Sequence, residues 1–482
     1  MKTSNHFCAG QITKSGEDPA IESFKLAAKD VPHYRDLLAS LGVDVPRVVS
    51  LSDFQERVPL LRKKDVFADH IPISRLCRKG EIGDNLHLMI SSGFSGESSF
   101  SMLDAVGASS FRGPLDIYIS NLLSPTASRT LIVNALGMGV RLPPTQHSII
   151  ETGVRSDLVI KALLKFGSYY DQTLIVGDPN FLKKIVDEGN DIGLDWRGLQ
   201  ISLLTGGDWV PETMRTYFTE ETGIDPENPA EYRGVFITFG LTELGLNVFF
   251  ETQETIKIRR CALNNDRLRR ALFYSGNRQN LNFNPEVCPP VVPNLFHYDP
   301  TRFFIETVTA NEAEAEEFVF TTLSAHTKIP LIRYVSGDLG ALHSPSDLQD
   351  CLRSLGMDEL IPQMPLPLAS PCGRSALGCA NREPRASSAY LSPEELRHGL
   401  YSCNESARSV TGHFTVTEKA GKAVAHVQLR PKIKQAARLN KIIGRALSSA
   451  SPYAVECSTY EHDTYPYGRT LNYEVKFNHV GS

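Results

Sequence analysis

A serine- and glycine-rich segment, residues 90–99, is the part of the sequence whose residue types point most directly to chemistry. It follows an apolar run at residues 86–89 and contains two glycines and five serines. Glycines allow a tight turn, and serine hydroxyls together with backbone N–H groups can surround an anion, so the pattern favours a phosphate-binding loop after a strand. Glu97 stands where such a loop usually carries a lysine.

A glycine turn within residues 203–211 is a second candidate for ligand binding. The sequence predicts a strand, then a turn at Gly206 and Gly207, then a helix that starts near Pro211. Glycines at the carboxyl end of a strand let a ligand approach the backbone of an open α/β sheet. An ordinary strand–turn–helix connection has the same pattern, and this segment alone favours that interpretation.

Residues 238–245 combine an aromatic ring, a hydroxyl and a carboxylate within one short segment. The ring of Phe239 offers a face on which a base can stack, and the hydroxyl of Thr242 can contact a phosphate. Glu243 offers the hard oxygen ligands that Mg²⁺ prefers. A loop with a chance Thr-Glu pair is the structural alternative.

Asp338 follows Gly337 in residues 329–340 and has a carboxylate that can accept two hydrogen bonds from a ribose diol. Its structural alternative is a turn aspartate at a hairpin, which is common. Each of these signals is weak alone, whereas their order along the chain is informative.

The series of segments resembles the adenylate-forming (ANL) superfamily and, within it, the phenylacetate–CoA ligase-like branch. The resemblance runs from about residue 50 to about residue 375 and continues more weakly beyond. The segments that carry it are residues 91–96 (SSGFSG), 177–182 (GDPNFL), 206–209 (GGDW), 239–243 (FGLTE), 320–323 (FTTL), 330–339 (PLIRYVSGDL) and 373–374 (GR).

The resemblance implies an enzyme, an ATP- and Mg²⁺-dependent ligase that works in two steps. A carboxylic acid is activated as an acyl-adenylate with release of pyrophosphate, and an acceptor, by default the thiol of CoA, then displaces AMP. Two alternatives stay open: an amide- or nitrogen-linking ligase that transfers the same acyl-adenylate to an amine-type acceptor, and a non-catalytic homologue that binds a nucleotide or acyl group. A carrier-protein thiol is a further acceptor that the resemblance allows.

The resemblance also implies a role for each matching residue. Thr242 would contact the α-phosphate, Glu243 would bind Mg²⁺, Phe239 would flank the adenine and Asp338 would hold the ribose. The implied nucleotide-binding set further contains Ser91, Ser92, Gly93, Ser95 and Gly96 around the β- and γ-phosphates, Gly206, Gly207 and Asp208 beside the adenine, and Arg374 at the domain hinge. Lys476, with Arg469 as the alternative, would be the catalytic cation of the C-terminal domain.

An apolar wall for the acid is expected around the same motifs. Its predicted members are Leu136, Gly137, Phe236, Gly240, Leu241, Leu244 and Gly245. Their side chains favour a hydrophobic or aromatic acid, whereas Asn247 and His147 offer polar recognition. The chain departs from the family pattern at Glu97, where lysine is usual, and at Phe94, where a hydroxyl residue is usual. It departs again at residues 375–377, where the hinge acids are missing.

Short apolar runs that alternate with helical patterns must position these residues. Strands are predicted at 130–133, 172–176, 199–204, 235–238, 303–308 and 317–323, and helices at 156–166, 180–188 and 211–222. The alternation predicts an α/β domain with a largely parallel sheet, which becomes β-rich from about residue 245. Residues 17–85 are expected to be helical, with a helix capped at Ser52 or Asp53.

A second, smaller domain is predicted after a Pro-, Ser- and Ala-rich linker at residues 361–394. Its expected elements are helices at 393–401 and 432–447 and strands at 413–417, 423–429, 453–458 and 471–477. The fold prediction is therefore α/β, with a large multi-layer N-terminal adenylation domain (1–370) and a small, mobile α+β C-terminal domain (375–482).

Composition limits the partners and the compartment. The 482 residues carry a net charge of −5 without a long basic run, which argues against nucleic acid and anionic membranes as main partners. No apolar stretch is long enough to span a bilayer, and residues 1–16 lack a secretory pattern. Nine scattered cysteines without a CxxC pair indicate reduced thiols and a cytoplasmic protein. Cys261, Cys288 and His297 are a weak zinc alternative, and a homodimer is one assembly that the sequence allows.

Overall fold

The computed structural model describes most of the chain in separate ranges. They are residues 17–84, 86–91, 98–103, 118–119, 122–123, 127–137, 139–142, 145–225, 232–273, 292–310, 315–374, 393–419, 422–450, 455–468 and 473. Within them, no helix is long and apolar enough to cross a membrane. We refer to residues 17–374 as the large unit and to residues 393–473 as the small unit.

One mixed sheet of eleven described strands forms the centre of the large unit, in the order β10-β11-β12-β13-β9-β8-β7-β6-β5-β3-β4. The strands are β3 (Thr130–Ala135), β4 (Ser148–Glu151), β5 (Gln172–Gly177), β6 (Ile201–Gly206), β7 (Val235–Leu241), β8 (Gly245–Phe250), β9 (Phe296–Tyr298), β10 (Phe303–Ala310), β11 (Ala315–Thr322), β12 (Tyr334–His343) and β13 (Leu368–Arg374). A separate antiparallel hairpin contains β1 (His87–Ile90) and β2 (Phe100–Leu103).

The prediction of a largely parallel sheet is correct for only one half of it. Strands β4, β3, β5, β6 and β7 pair in parallel. From β7 onward every neighbouring pair is antiparallel. The reversal begins where β7 turns directly back into β8, because a turn this short can join only antiparallel strands.

The parallel half is buried on both faces, as its continuous apolar runs indicate. One face carries Val133, Ile175, Leu203 and Ile237 into the main core. The other face packs in a separate cluster with Ile132, Leu174, Leu204 and Phe236.

Helices connect the strands of the sheet and also form the N-terminal part of the large unit. They are α1 (Glu17–Asp30), α2 (Pro32–Ser40), α3 (Leu51–Arg57), α4 (Lys63–Val66), α5 (Ile73–Leu76), α6 (Ser156–Phe166), α7 (Pro179–Asp191), α8 (Glu212–Thr222), α9 (Gln253–Asn264), α10 (Asp266–Phe273) and α11 (Pro345–Ser354). The predicted helices near 156, 180 and 211 are confirmed. The cap of α3 is Ser50 rather than Ser52 or Asp53, because the extended Ser50 accepts from the Asp53 N–H while the Asp53 carboxylate accepts the Ser50 N–H.

The small unit has three helices and a three-stranded sheet among its described residues. Its elements are α12 (Pro393–Tyr401), α13 (Asn404–Ser409), β14 (Val410–Lys419), β15 (Lys422–Leu429), α14 (Ala437–Ser449) and β16 (Val455–Tyr460). Helix α14 starts five residues later than predicted, and Lys432 has a left-handed φ of 71°, which a right-handed helix does not contain. The predicted strand at 471–477 lies outside the described residues, apart from Tyr473.

The linker prediction is wrong for residues 368–374, which form the buried strand β13 between β12 and β9. Small side chains in this strand lack the bulky β-branched pattern of an ordinary strand, which explains the error. The division of the chain into domains near residues 370–375 stays a prediction.

Candidate functional site

Three of the motif segments meet at the carboxylate of Glu243, in the turn between β7 and β8. Its Oε2 accepts a hydrogen bond of 2.8 Å from the hydroxyl of Ser99, 144 residues away. Its Oε1 accepts one of 2.7 Å from the hydroxyl of Tyr334, 91 residues away on β12. The serine-rich segment, the segment that carries Thr242 and Glu243, and the segment that carries Asp338 therefore converge on one acidic side chain.

The base of the serine-rich loop is a closed hairpin end. The N–H of Ser91 donates to the Ser99 carbonyl over 2.9 Å, and the Ser91 hydroxyl accepts the Ser99 N–H over 2.8 Å. Lys63 of α4, which the sequence interpretation missed, places its Nζ 3.4 Å from the same hydroxyl. Ser92, Gly93, Ser95, Gly96 and the unusual Glu97 lie outside the described residues.

The predicted glycine turn follows β6. A Cβ on Gly206 would lie 2.5 Å from the carbonyl oxygen of Thr238 on β7, so the close approach of the two strands requires glycine there. Gly207 has a φ of 86°, which also favours glycine. Asp208 follows, and its Oδ1 accepts the N–H of Trp209 over 2.8 Å.

The other predicted nucleotide residues lie on separate strands of the same sheet. Phe239 is half-buried on β7 and stacks on Phe249 of β8, with ring centroids 5.1 Å apart. Asp338 is 4% exposed on β12 and pairs in register with Arg374 of β13. The sheet thus places these residues on one framework, although they are far apart in sequence.

The residues predicted for the acid-binding wall lie on two faces of the sheet. Leu136 is half-buried directly after β3 and precedes Gly137. Its side chain packs against the cluster that contains the fully buried Phe236. Leu241 and Leu244 instead belong to the main core. Gly240 and Gly245 lie at the hairpin, where a Cβ on Gly240 would be 2.6 Å from the Leu246 carbonyl oxygen.

A cavity of about 90 Å³ lies beside Glu243. Leu244 and Gly245 of the predicted wall line it, together with Arg302 and His326. Arg302 donates to the carbonyl of Asn247 over 3.2 Å, and burial lowers the pKa of this guanidinium. The cavity therefore adds a cationic side chain that the sequence interpretation did not identify.

The two polar candidates for acid recognition lie in different places. The Oδ1 of Asn247 accepts a hydrogen bond of 2.6 Å from the hydroxyl of Thr238, close to the β7–β8 hairpin. His147 precedes β4 and lines an open groove of about 740 Å³ with Thr130 and Ser148, at the amino ends of the parallel strands. His147 is therefore at the opposite edge of the sheet from Glu243.

A buried network of two arginines and two glutamates holds the framework together. Glu212, the first residue of α8, accepts from Arg215 over 3.0 Å and from Arg259 over 2.7 Å. Arg259 also donates to the carbonyl of Val210, and Glu251 accepts both from Arg215 and from the N–H of Ile237 on β7. Because the charges balance, the network fixes the end of the glycine turn to β7 without a net buried charge.

The small unit reaches the glycine turn through α12. Arg397 donates to Asp208 Oδ2 and to the carbonyl oxygen of Trp209, each over 2.6 Å. Asp178, which caps α7 by accepting the N–H groups of Asn180 and Phe181, lies near the same charges. Burial, and then the negative charge of Asp208, raises the pKa of Asp178 to about 6.

Several other predicted residues lie outside the described part of the chain or away from Glu243. Lys476 and its alternative Arg469 lie outside the described residues. Of the zinc alternative, Cys261 is half-buried on α9, His297 is buried on β9 and Cys288 is not described. Among the described residues, no group of three or more His, Cys, Asp or Glu side chains could hold a metal ion by itself.

Comparison with known proteins gives a match at the level of structure. No family model matches the sequence, and no curated protein sequence matches it. A crystal structure of 2-hydroxyisobutyryl-CoA ligase in the postadenylation state, in complex with R3-HIB-AMP, superposes with a TM-score of 0.66 at 13% identity, over 96% of this chain and 88% of that chain. The chain has the fold of this acyl-CoA ligase.

The same ligase in two other states superposes with lower scores. In complex with 2-HIB-AMP and CoA in the thioesterification state, the TM-score is 0.53 at 13% identity, over 98% of this chain and 90% of that chain. For an open conformation with the same two ligands, the TM-score is 0.52 at 13% identity, over 96% of this chain and 90% of that chain. The predicted combination of a large α/β unit with a small α+β unit is thereby confirmed as a fold.

Proposed function

We propose that the protein is an adenylate-forming ligase that activates a carboxylic acid with ATP and passes the acyl group to CoA. The observation that carries this proposal is the convergence of Ser99, Glu243 and Tyr334, because it joins three segments that the family resemblance links to ATP. The likeness to an acyl-CoA ligase over nearly the whole chain supports the same reaction class.

In the first step, a carboxylate oxygen of the acid attacks the α-phosphorus of ATP, and the bond to the bridging oxygen breaks to release pyrophosphate. Two anions must meet, so neutralisation of charge dominates the barrier. Lys63 supplies a cation at the base of the serine-rich loop, where the loop itself has Glu97 instead of lysine. Thr242 would contact the α-phosphate, and Lys476 of the predicted C-terminal domain would supply a further positive charge.

The nucleotide would lie across the carboxyl edge of the sheet. The adenine would pack between the turn of Gly206, Gly207 and Asp208 and the half-buried ring of Phe239. The buried carboxylate of Asp338 would accept the ribose hydroxyls, with Arg374 on the adjacent strand.

The donor set at Glu243 fits Mg²⁺. A carboxylate beside a serine hydroxyl offers hard oxygen ligands, and Mg²⁺ is ordinarily bound through one or two carboxylates plus substrate phosphates. Each carboxylate oxygen that accepts one hydrogen bond keeps further acceptor capacity. Glu243 would hold the ion, which would supply neutralisation of the phosphate charge.

In the second step, the acceptor attacks the acyl carbon and AMP leaves. CoA is the first choice, and an amine or a carrier-protein thiol is the alternative. For the acid, Leu244 in the lining of the 90 Å³ cavity supports a hydrophobic or aromatic group, whereas Arg302 in the same lining supports a polar one. A cytoplasmic location and a homodimer stay predictions from the sequence.

The test is pyrophosphate release from ATP and Mg²⁺ with a panel of aromatic, aliphatic and hydroxylated acids. We expect release with at least one class, followed by AMP formation that CoA accelerates. Acceleration by an amine or a carrier protein, but not by CoA, would select the alternative ligase. AMP binding without pyrophosphate release from any acid would select the non-catalytic homologue, and absence of both pyrophosphate release and AMP binding would contradict the proposal.

A further inference from the structure

Arg397 is the side chain through which the small unit contacts the glycine turn of the large unit. It projects from α12, and its side chain is 3% exposed. Its guanidinium donates to the Asp208 carboxylate and to the Trp209 carbonyl over 2.6 Å each. A planar guanidinium has several donors in a fixed arrangement, so one arginine can hold a side chain and the adjacent backbone at once.

The turn is a segment whose shape such a contact can set. Gly206 ends β6 in register with Thr238 of β7, and Gly207 after it is in the left-handed region, where the backbone leaves the strand. The side chain of Asp208 is 37% exposed, and its carboxylate accepts the Trp209 N–H in addition to the bond from Arg397. The double contact from Arg397 orients the carboxylate and fixes the peptide that follows it.

The positive charge of Arg397 also changes the electrostatics near Asp178 and Asp208. Asp178 and Asp208 place two carboxylates near each other, where a nucleotide polyphosphate would be repelled. The guanidinium of Arg397 interacts favourably with both carboxylates and reduces their net negative charge. The small unit therefore makes this edge more suitable for an anionic ligand.

Two other arginines of the small unit provide the contrast. Arg408 pairs with Glu221 at the end of α8 over 2.6 Å, with its side chain 58% exposed. Arg430 pairs with Asp187 of α7 over 3.2 Å. Both contacts hold the units together on helix surfaces, whereas Arg397 is buried against the turn itself.

We propose that Arg397 is a positioning residue that shapes the turn of Gly206, Gly207 and Asp208 for the nucleotide, so that the adenine side of the site is complete only while α12 is docked. This inference rests on the proposed function for the role of the nucleotide. The effect of Arg397 on the turn itself does not depend on that function.

The first measurement is hydrogen–deuterium exchange of the peptide that contains residues 206–209, without ligand, in the wild type, Arg397→Ala and the control Arg408→Ala. A lost hydrogen bond to a charged group predicts about tenfold faster exchange of this peptide in Arg397→Ala. The control should leave this peptide unchanged. Unchanged exchange in Arg397→Ala would overturn the proposal whether or not the protein is a ligase.

The second measurement separates positioning from general stability. In Arg397→Ala, KM for ATP should rise by about tenfold, while the rate of CoA acylation from supplied acyl-adenylate should change by less than about twofold. Arg397→Ala combined with Asp208→Asn should be no worse than Arg397→Ala alone, because Arg397→Ala already removes the contact with the Asp208 carboxylate. Additive losses, or equal losses in Arg408→Ala, would contradict a positioning role.

Two outcomes keep the inference and the proposed function apart. If the turn loosens in Arg397→Ala but the wild type binds no nucleotide, the positioning of the turn stands and the proposed function fails. If Arg397→Ala does not fold, Arg397→Lys replaces it, since lysine keeps the charge but not the forked contact. Wild-type exchange rates and KM in Arg397→Lys would then overturn the proposal.

Discussion

The Glu243 junction and the Arg397 contact both join distant parts of the chain, but they do so in different ways. At the junction, Ser99, Glu243 and Tyr334 all belong to the large unit, and two of the three lie on the framework of one sheet. In the second region, Arg397 belongs to the small unit and donates a hydrogen bond to Asp208 of the large unit. Under the proposed function, the phosphate and metal side would be built within the large unit, whereas the adenine side would depend on docking of the small unit.

Replacement of Glu243 by glutamine should have the largest effect, because it removes the charge at the permanent junction. We expect pyrophosphate release to fall by about a hundredfold or more, as for loss of a preorganised charge-stabilising group. The matched control is Glu456→Gln on the exposed surface of β16, which should retain activity. Normal turnover in Glu243→Gln would show that the Glu243 junction has no part in catalysis.

Asp338→Ala should have the second largest effect, on ATP binding rather than on the junction. Loss of hydrogen bonds to a buried charged acceptor predicts an increase in KM for ATP of about tenfold to a hundredfold. The measurement is KM for ATP in pyrophosphate release. Asp338→Asn, which keeps an acceptor oxygen, should lose less, and equal KM values for the wild type and Asp338→Ala would exclude a ribose contact.

Lys63→Ala tests whether the base of the serine-rich loop receives its cation from α4. We expect KM for ATP to rise by about tenfold, since one charged contact is lost at a partly exposed site. The neighbouring Lys64 is exposed and provides a closely matched control, Lys64→Ala. Equal effects of the two variants would show that only general surface charge matters.

The pH dependence of stability should distinguish Asp178, near the docking contact, from an ordinary surface carboxylate. Burial raises the pKa of Asp178 to about 6, so its folded form holds a proton more tightly than the unfolded chain. Stability from this group is therefore present at low pH and falls as pH rises from about 4 to about 6. In Asp178→Asn, which keeps a capping side chain, this fall in the thermal midpoint should be absent.

Asp171 gives the control of opposite sign. A hydrogen bond from the Ser128 hydroxyl, with others from the backbone, holds its pKa below the ordinary value. Its contribution is therefore present above that ordinary value and is lost as pH falls, and Asp171→Asn should flatten the acid side of the profile. The same slope change in Asp178→Asn and Asp171→Asn would contradict the assigned direction for Asp178.

The two regions also differ in how far the sequence could predict them. The sequence identifies Glu243 and the residues around it as candidates because the order of short motifs carries a family resemblance. The sequence does not identify their partners, because Ser99 and Tyr334 are 144 and 91 residues away and only the sheet brings them together. Arg397 gave no signal, since a single arginine on an amphipathic helix can lie on any face.

The fold shows the same division. Strands β3, β5, β6 and β7 were predicted because two-sided burial produces continuous apolar runs. Strand β13 was missed because its small residues and proline resemble a linker, although neighbouring strands bury it. The local sequence pattern thus predicts strands whose own side chains are large and apolar. It fails for a strand of small residues, which is buried because neighbouring strands cover it.

The most direct test of the account is a crystal structure with a non-hydrolysable ATP analogue and Mg²⁺. We expect the metal at about 2.1 Å from a Glu243 oxygen. We also expect the adenine between Phe239 and the turn of Gly206, Gly207 and Asp208, with Arg397 still bound to Asp208. A nucleotide bound elsewhere, or a metal without Glu243 in its coordination shell, would contradict the central claim.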